Sequence, residues 1–186
     1  WIGRPPAGLS VRFVQTKVDG AFLIEPEPIA DERGFFARVF CREEFAANGL
    51  NPDLAQGNVS FNHAKGTLRG MHYQAAPDQE AKLVRCTRGA IWDVALDLRP
   101  GSPTYLAWDG YELSDGNRSM LYVPEGCAHG FLTLTDGAEV TYQMSAPYAP
   151  AAARGVRWDD PAFGIDWPGE VVVINQRDAS YPDTEP

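Results

Sequence analysis

The chain has 186 residues, 44% of them hydrophobic, with 18 glycines and 15 prolines, which suits one globular domain with a full core and many turns between short elements. A formal net charge of −9 argues against general nucleic-acid or membrane-surface binding, so an anionic ligand would need positive charge gathered locally. Three widely spaced cysteines, Cys41, Cys86 and Cys127, fit a reducing cytoplasm better than a disulfide framework or a zinc site, and no stretch has the length of a membrane span or the layout of a signal peptide.

Residues 1–18 read as an N-terminal extension, either foreign to the domain or touching a second subunit, and Trp1 to Ser10 carry no functional weight. Ala21 to Glu25 is a short apolar run that stops at prolines, and reads as a strand. Asp31-Glu32-Arg33-Gly34 is a turn by composition, and Phe35 to Phe40 a second strand. Arg42 to Asn48, closed by Gly49, predicts a short helix with a glycine stop. Strands follow at Asn58–Asn62, Thr67–Gln74 and Lys82–Thr87. Ile91 to Leu98 alternates, with Trp92, Val94, Leu96 and Leu98 on one face and Asp93, Ala95 and Asp97 on the other. Further strands are expected at Tyr105–Leu113, Met120–Val123, Gly130–Leu134 and Glu139–Met144, with a last apolar run at Val171–Ile174. Turns such as Pro100-Gly101-Ser102-Pro103 and Asp115-Gly116-Asn117 separate them. Strands at this spacing with almost no helix predict an all-β sandwich or barrel, a jelly roll by size, with one or two short helices in a single domain.

The stretch Gly66-Thr67-Leu68-Arg69-Gly70-Met71-His72-Tyr73-Gln74 holds one of only three histidines. Strand parity puts Leu68, Gly70, His72 and Gln74 on one face, a poor core face that suits a cavity wall. Lys82 shares a face with Val84 and Cys86 on what reads as the neighbouring strand, which places an ammonium within reach of His72. Parity turns Arg69 away from His72, so both face one cavity only if Gly70 makes a bulge or the strand twists strongly. A metal is the rival reading. His72, His129 and Glu80 would be its ligands, but the second histidine of a His-x-His pair is replaced by Gln74, and two histidines with one glutamate make a weak site. His129 lies between Gly126 and Gly130 and reads equally as a turn histidine bonded to backbone or as a ligand contact, and His63 as a surface turn residue. By spacing alone Tyr142 is a core tyrosine, Tyr148 packs among prolines, Asp178 is a solvated tail charge, and Arg33 and Arg38 are exposed.

Taken together, the segments resemble the dTDP-4-dehydrorhamnose 3,5-epimerase family. The resemblance rests on Asp31-Glu32-Arg33-Gly34-Phe35-Phe36, Gln56-Gly57-Asn58-Val59-Ser60, Gly66 to Gln74, Lys82-Leu83-Val84-Arg85, Asp97-Leu98-Arg99 with Ser102-Pro103-Thr104, Val123-Pro124-Glu125-Gly126 with Ala128-His129-Gly130-Phe131, Tyr142 with Tyr148, Trp158-Asp159-Asp160-Pro161 and Arg177-Asp178. These pieces stand in family order over residues 20 to 180. The resemblance implies a cupin-like homodimer with no cofactor and no metal, acting on a nucleotide-diphosphate-linked 4-keto-6-deoxy sugar. By position it makes His72 the general base, Asp178 its carboxylate partner, Tyr142 the acid on the opposite sugar face and Lys82 the cation at the keto oxygen. Arg69, Gln56, Asn58, His129 and Tyr148 match sugar and diphosphate contacts, and Arg33 and Phe36 match residues that reach the nucleotide from the partner subunit. At Arg38 the sequence departs from the family's usual glutamate, a charge reversal that would alter base recognition or tighten a phosphate contact.

The residue types suit the implied chemistry. A 4-keto group acidifies the hydrogens on C3 and C5, because the carbanion delocalises onto the oxygen. Histidine is a base near neutral pKa, and an aspartate on its far nitrogen fixes the tautomer. The enolate needs a nearby positive charge, and inversion needs a second acid on the other face. A single-centre epimerase or keto-sugar isomerase on another nucleotide sugar, and a non-catalytic sugar-binding jelly roll, are the alternatives.

Overall fold

The computed structural model describes residues 9–184; residues 1–8, the start of the expected extension, lie outside the described residues. The rest of that extension is part of the domain. Val11–Gln15 forms β1, which pairs antiparallel with β2, Phe22–Pro26. A small hairpin, β3 (Ile29–Asp31) and β4 (Gly34–Phe36), follows. The strand expected over 35–40 therefore ends early, and the chain then enters α1, Arg42–Ala47. Phe45 is its buried anchor, packed with Ile24, Leu83 and Met120 on the outside of a sheet.

The remaining strands among the described residues are β5 (Gln56–Asn62), β6 (Leu68–Gln74), β7 (Lys82–Arg88), β8 (Ala90–Asp97), β9 (Trp108–Ser114), β10 (Met120–Val123), β11 (Cys127–Thr133), β12 (Ala138–Met144) and β13 (Ala153–Gly155). They form two antiparallel sheets, ordered β1-β2-β10-β7-β12-β5 and β13-β6-β11-β8-β9. The sheets face each other as a jelly-roll sandwich. Val84, Cys86, Leu121 and Val140 from one sheet meet Ile91, Ala95, Leu113 and Phe131 from the other, which places period-two apolar faces against each other.

Two strands invert the simple inside-outside expectation. In β8 both faces are buried: Ile91, Asp93, Ala95 and Asp97 turn to the sandwich interior, while Val94 and Leu96 pack under Phe163, Ile165 and Trp167 of the C-terminal segment. In β5 the more buried face is polar, with Gln56, Asn58, Ser60 and Asn62, while Val59 and Phe61 are exposed. A polar inner face marks the end of the sandwich that is not filled by core.

One further expected strand is shortened, and the last apolar run does not become a strand. The run 105–113 begins its ladder only at Trp108, because Leu106 adopts a positive φ of 65° in a turn closed onto Asp97. Asp97 organises that turn by accepting hydrogen bonds from Arg99, Ser102 and Thr104. The run 171–174 makes one isolated bridge, Val173 with Thr67. The tail then forms α2, Gln176–Ala179, capped by the Asn175 side chain, which accepts from the Asp178 amide at 2.7 Å. Among the described residues no helix is long and apolar enough to cross a membrane, and the three cysteines are free.

Candidate active site

The open end of the sandwich holds a cavity of about 370 Å³, which shares His72, Lys82 and Tyr142 as lining residues with a smaller recess of about 150 Å³. Its size is that of a small-molecule site, typically about 300–1,000 Å³. The two sheets supply different chemistry. From the sheet of β6 and β11 come His72, Arg69 and His129. From the facing sheet come Lys82 on β7, Tyr142 on β12, and Gln56 and Asn58 on β5. This corrects the expectation that His72 and Lys82 sit on neighbouring strands of one sheet: they approach across the sandwich. Lys82 spans the gap, with Nζ donating to the backbone carbonyl of His72 at 3.3 Å.

Arg69 and His72 do line the same recess, and the backbone between them explains how. His72 pairs with His129 and Arg69 with Phe131, so Gly70 and Met71 of β6 oppose the single residue Gly130 of β11. This is a bulge, which resets side-chain parity. It requires glycine twice. Gly70 has φ +138°, and a Cβ there would lie 2.5 Å from the Gly130 Cα, while one on Gly130 would meet the Met71 sulfur at 2.6 Å.

His72 Nε2 lies 2.7 Å from Asp178 Oδ1. Asp178, a solvated tail charge by spacing alone and the partner of His72 by resemblance, is fully buried, because α2 folds beneath β6 and the Gly70 amide donates to Asp178 Oδ2 at 3.2 Å. Burial pushes the Asp178 carboxyl up. The His72 hydrogen bond and charge, the Gly70 amide and the Arg177 charge outweigh it and hold the carboxyl below its ordinary value. An ionised Asp178 fixes Nε2 as the protonated nitrogen and leaves Nδ1 with its lone pair free.

A second pair lies deeper. His129 Nε2 is 2.7 Å from Asp93 Oδ1, and both residues are buried. Here burial raises the carboxyl above its ordinary value against the pull of His129 and Lys82, and Asp93 Oδ2 has no partner among the described residues. His129 is thus a side-chain-bonded residue of the recess, not a turn histidine tied to backbone. His63 is exposed, as expected.

The polar wall is completed by Arg69, whose Nε donates to Asn62 Oδ1 at 2.7 Å, and by Gln56, which donates to Asn58 and accepts from the Tyr148 amide at 3.0 Å. Tyr148 is 51% exposed at the rim. Gln74 faces inward, but its amide is spent on the Asp78 and Pro147 carbonyls. Arg33 and Phe36 do not reach the cavity: both are exposed on the β3–β4 hairpin, and Arg33 pairs with Asp31. Arg38 pairs with Glu44 of α1, which neutralises its charge locally. The potential metal ligands are each engaged elsewhere, His72 by Asp178, His129 by Asp93 and Glu80 by Lys82. Among the described residues no cluster of three or more His, Cys, Asp or Glu side chains is placed to hold a metal ion.

Sequence reasoning missed Tyr73, Arg154 and Arg177 on the cavity wall and Asp93 behind it. Arg177 and Asp93 had signals: the first adjoins Asp178, and the second lies on the acidic face of an otherwise apolar strand.

In this jelly roll a histidine–aspartate pair faces a lysine and a tyrosine across one cavity, and the class of protein is an isomerase, a carbohydrate epimerase. The family model described as dTDP-4-dehydrorhamnose 3,5-epimerase matches residues 15–185, and the chain belongs to that family. It is 47% identical over 173 residues to the dTDP-4-dehydrorhamnose 3,5-epimerase of Methanothermobacter thermautotrophicus, covering 91% of this chain and 92% of that protein. It is 42% identical over 162 residues to the dTDP-4-dehydrorhamnose 3-epimerase of Streptomyces niveus, covering 87% and 78%. The crystal structure of dTDP-4-dehydrorhamnose 3,5-epimerase from Elizabethkingia anophelis superposes with a TM-score of 0.90 at 35% identity, over 93% of this chain and 96% of that one.

Proposed function

We propose that the protein epimerises a dTDP-linked 4-keto-6-deoxyhexose in deoxysugar biosynthesis, by proton removal and return next to the keto carbon. The observation that carries this reading is the opposition across one cavity of the His72–Asp178 pair with Lys82 and Tyr142. His72 Nδ1 takes the hydrogen as a proton and the C–H electron pair moves onto the keto oxygen. The Lys82 ammonium, with His129 beside it, stabilises that enolate. Tyr142 delivers a proton to the opposite face of the carbon and regains one from solvent, while His72 releases its own to solvent. Arg69, with Gln56, Asn58 and Tyr148, holds the sugar and diphosphate, and Arg177 adds charge at the rim. Arginine suits this task through bidentate charge-assisted bonds, which lets an acidic protein bind an anion.

Arg33 and Phe36 enter as residues of a second copy that close the nucleotide end of the site. Their exposure on a projecting hairpin, and the exposed Val59 and Phe61 on the outer face of β5, support a homodimer. Three free cysteines suit a cytoplasmic setting. A single-centre epimerase is the second reading, favoured by the identity with the Streptomyces 3-epimerase.

The test is Tyr142→Phe with dTDP-4-keto-6-deoxyglucose in D2O, followed by NMR. Deuterium exchange should continue while inverted product falls by about 100-fold. Undiminished product would remove Tyr142 from the acid role, and wild-type product inverted at one carbon only would establish the second reading.

A further inference from the structure

Glu80 lies two residues before the first residue of β7, on the cavity wall, and is 5% exposed. Its Oε1 lies 2.6 Å from Lys82 Nζ, with the two side chains 3% and 9% exposed. Its other oxygen, Oε2, is buried without any partner among the described residues. A carboxylate that holds a loop or caps a helix spends its oxygens on backbone amides. Glu80 spends its one bonded oxygen on Lys82 alone. Burying such a group costs stability, and a half-satisfied buried carboxylate costs more than a neutral residue of the same shape. The arrangement therefore makes no sense as scaffolding.

It makes sense at the ammonium. Lys82 has three N–H donors on a flexible stem. One is taken by Glu80 and one by the His72 carbonyl on the facing sheet. Two fixed anchors, one just before β7 and one on the facing sheet, leave a single donor, with a defined direction, beside His72 and Tyr142.

We propose that Glu80 is a positioning residue for this reaction: it holds the Lys82 ammonium so that its remaining N–H meets the keto oxygen as the enolate forms. This rests on the reading of Lys82 given above. Glu80 acts through Lys82: Oε1 is held by the ammonium, and Oε2 is buried without a partner among the described residues.

A double-mutant cycle on dTDP-4-keto-6-deoxyglucose tests it, with kcat, KM and the thermal midpoint measured for each variant. Lys82→Ala should lower kcat by about 100- to 1,000-fold. Glu80→Ala should lower kcat by about 10- to 100-fold, as a misplaced catalytic group does, with KM nearly unchanged. Glu80→Gln keeps an acceptor for the ammonium and should recover most of that loss without lowering the thermal midpoint. In the Lys82→Ala background, Glu80→Ala should cost nothing further. An equal loss in both backgrounds, or full kcat in Glu80→Ala, would overturn the proposal while leaving the role of Lys82 intact. Wild-type kcat in Lys82→Ala would instead overturn the enolate reading, and the Glu80 proposal with it.

Discussion

The two histidine–aspartate pairs have the same 2.7 Å contact, yet they stand in opposite electrostatic settings. In the outer pair the His72 side chain is 36% exposed, and Asp178 is bonded through both oxygens and held below its ordinary pKa. In the inner pair both side chains are buried, one oxygen of Asp93 is unbonded, and the carboxyl is pushed up. A histidine must reach substrate and shed a proton to solvent if it is to act as a base, and only His72 has both a fixed anion behind it and access in front. His129 is better placed to donate a hydrogen bond than to cycle a proton. Under the proposed mechanism, hydration and second-oxygen bonding, not the pair itself, would divide the roles.

Breaking the outer pair should have the largest effect. His72→Asn removes the base and should lower turnover by about 1,000-fold or more, measured as product formation on dTDP-4-keto-6-deoxyglucose. Asp178→Asn keeps the shape but loses the anion that fixes the tautomer, and turnover should fall by about 100- to 10,000-fold. The matching change in the inner pair, Asp93→Asn, should cost only about 10-fold, because it weakens the orientation of an oxyanion donor and leaves the donor in place. Equal losses in the two asparagine variants would erase the distinction between the pairs.

The smallest effect is on stability, and it differs in sign. Asp178 has a lowered folded pKa, so its stabilisation is complete above about 3.9, the unfolded carboxyl value, and is lost as pH falls through the folded value. Asp93 has a raised folded pKa, so its contribution is complete at low pH and is lost as pH rises above about 3.9 toward the folded value. Between pH 2 and 6, the thermal midpoint of wild type minus Asp178→Asn should grow with pH, and wild type minus Asp93→Asn should shrink. Parallel curves would show that the two carboxyls titrate alike.

Much of this site was legible in the chain. The β6 stretch marked His72 and demanded either a bulge at Gly70 or a strong twist if Arg69 was to join it, and the structure has the bulge. Period-two alternation placed Lys82 with Val84 and Cys86, all buried, but could not say which sheet β7 joins, because long-range pairing is set by packing across the whole sandwich. The same limit hid Asp93: alternation put it on a face of β8 but gave no sign that both faces would be covered, one by the opposite sheet and one by the C-terminal segment. Asp178 read as a tail charge, because nothing local to Gln176-Arg177-Asp178 reveals that a single turn of helix tucks under β6; only the family resemblance pointed to it. Glu80 was read as a possible metal ligand, and its engagement by Lys82 depends on side-chain reach that sequence spacing does not encode.

The most direct test of the division between the pairs is hydrogen exchange. Wild type, His72→Asn and His129→Asn would be incubated with dTDP-4-keto-6-deoxyglucose in D2O, and the C3 and C5 hydrogens followed by NMR. Exchange should be abolished in His72→Asn and slowed but measurable in His129→Asn. Exchange that survives in His72→Asn and vanishes in His129→Asn would contradict the account and make the buried pair the base.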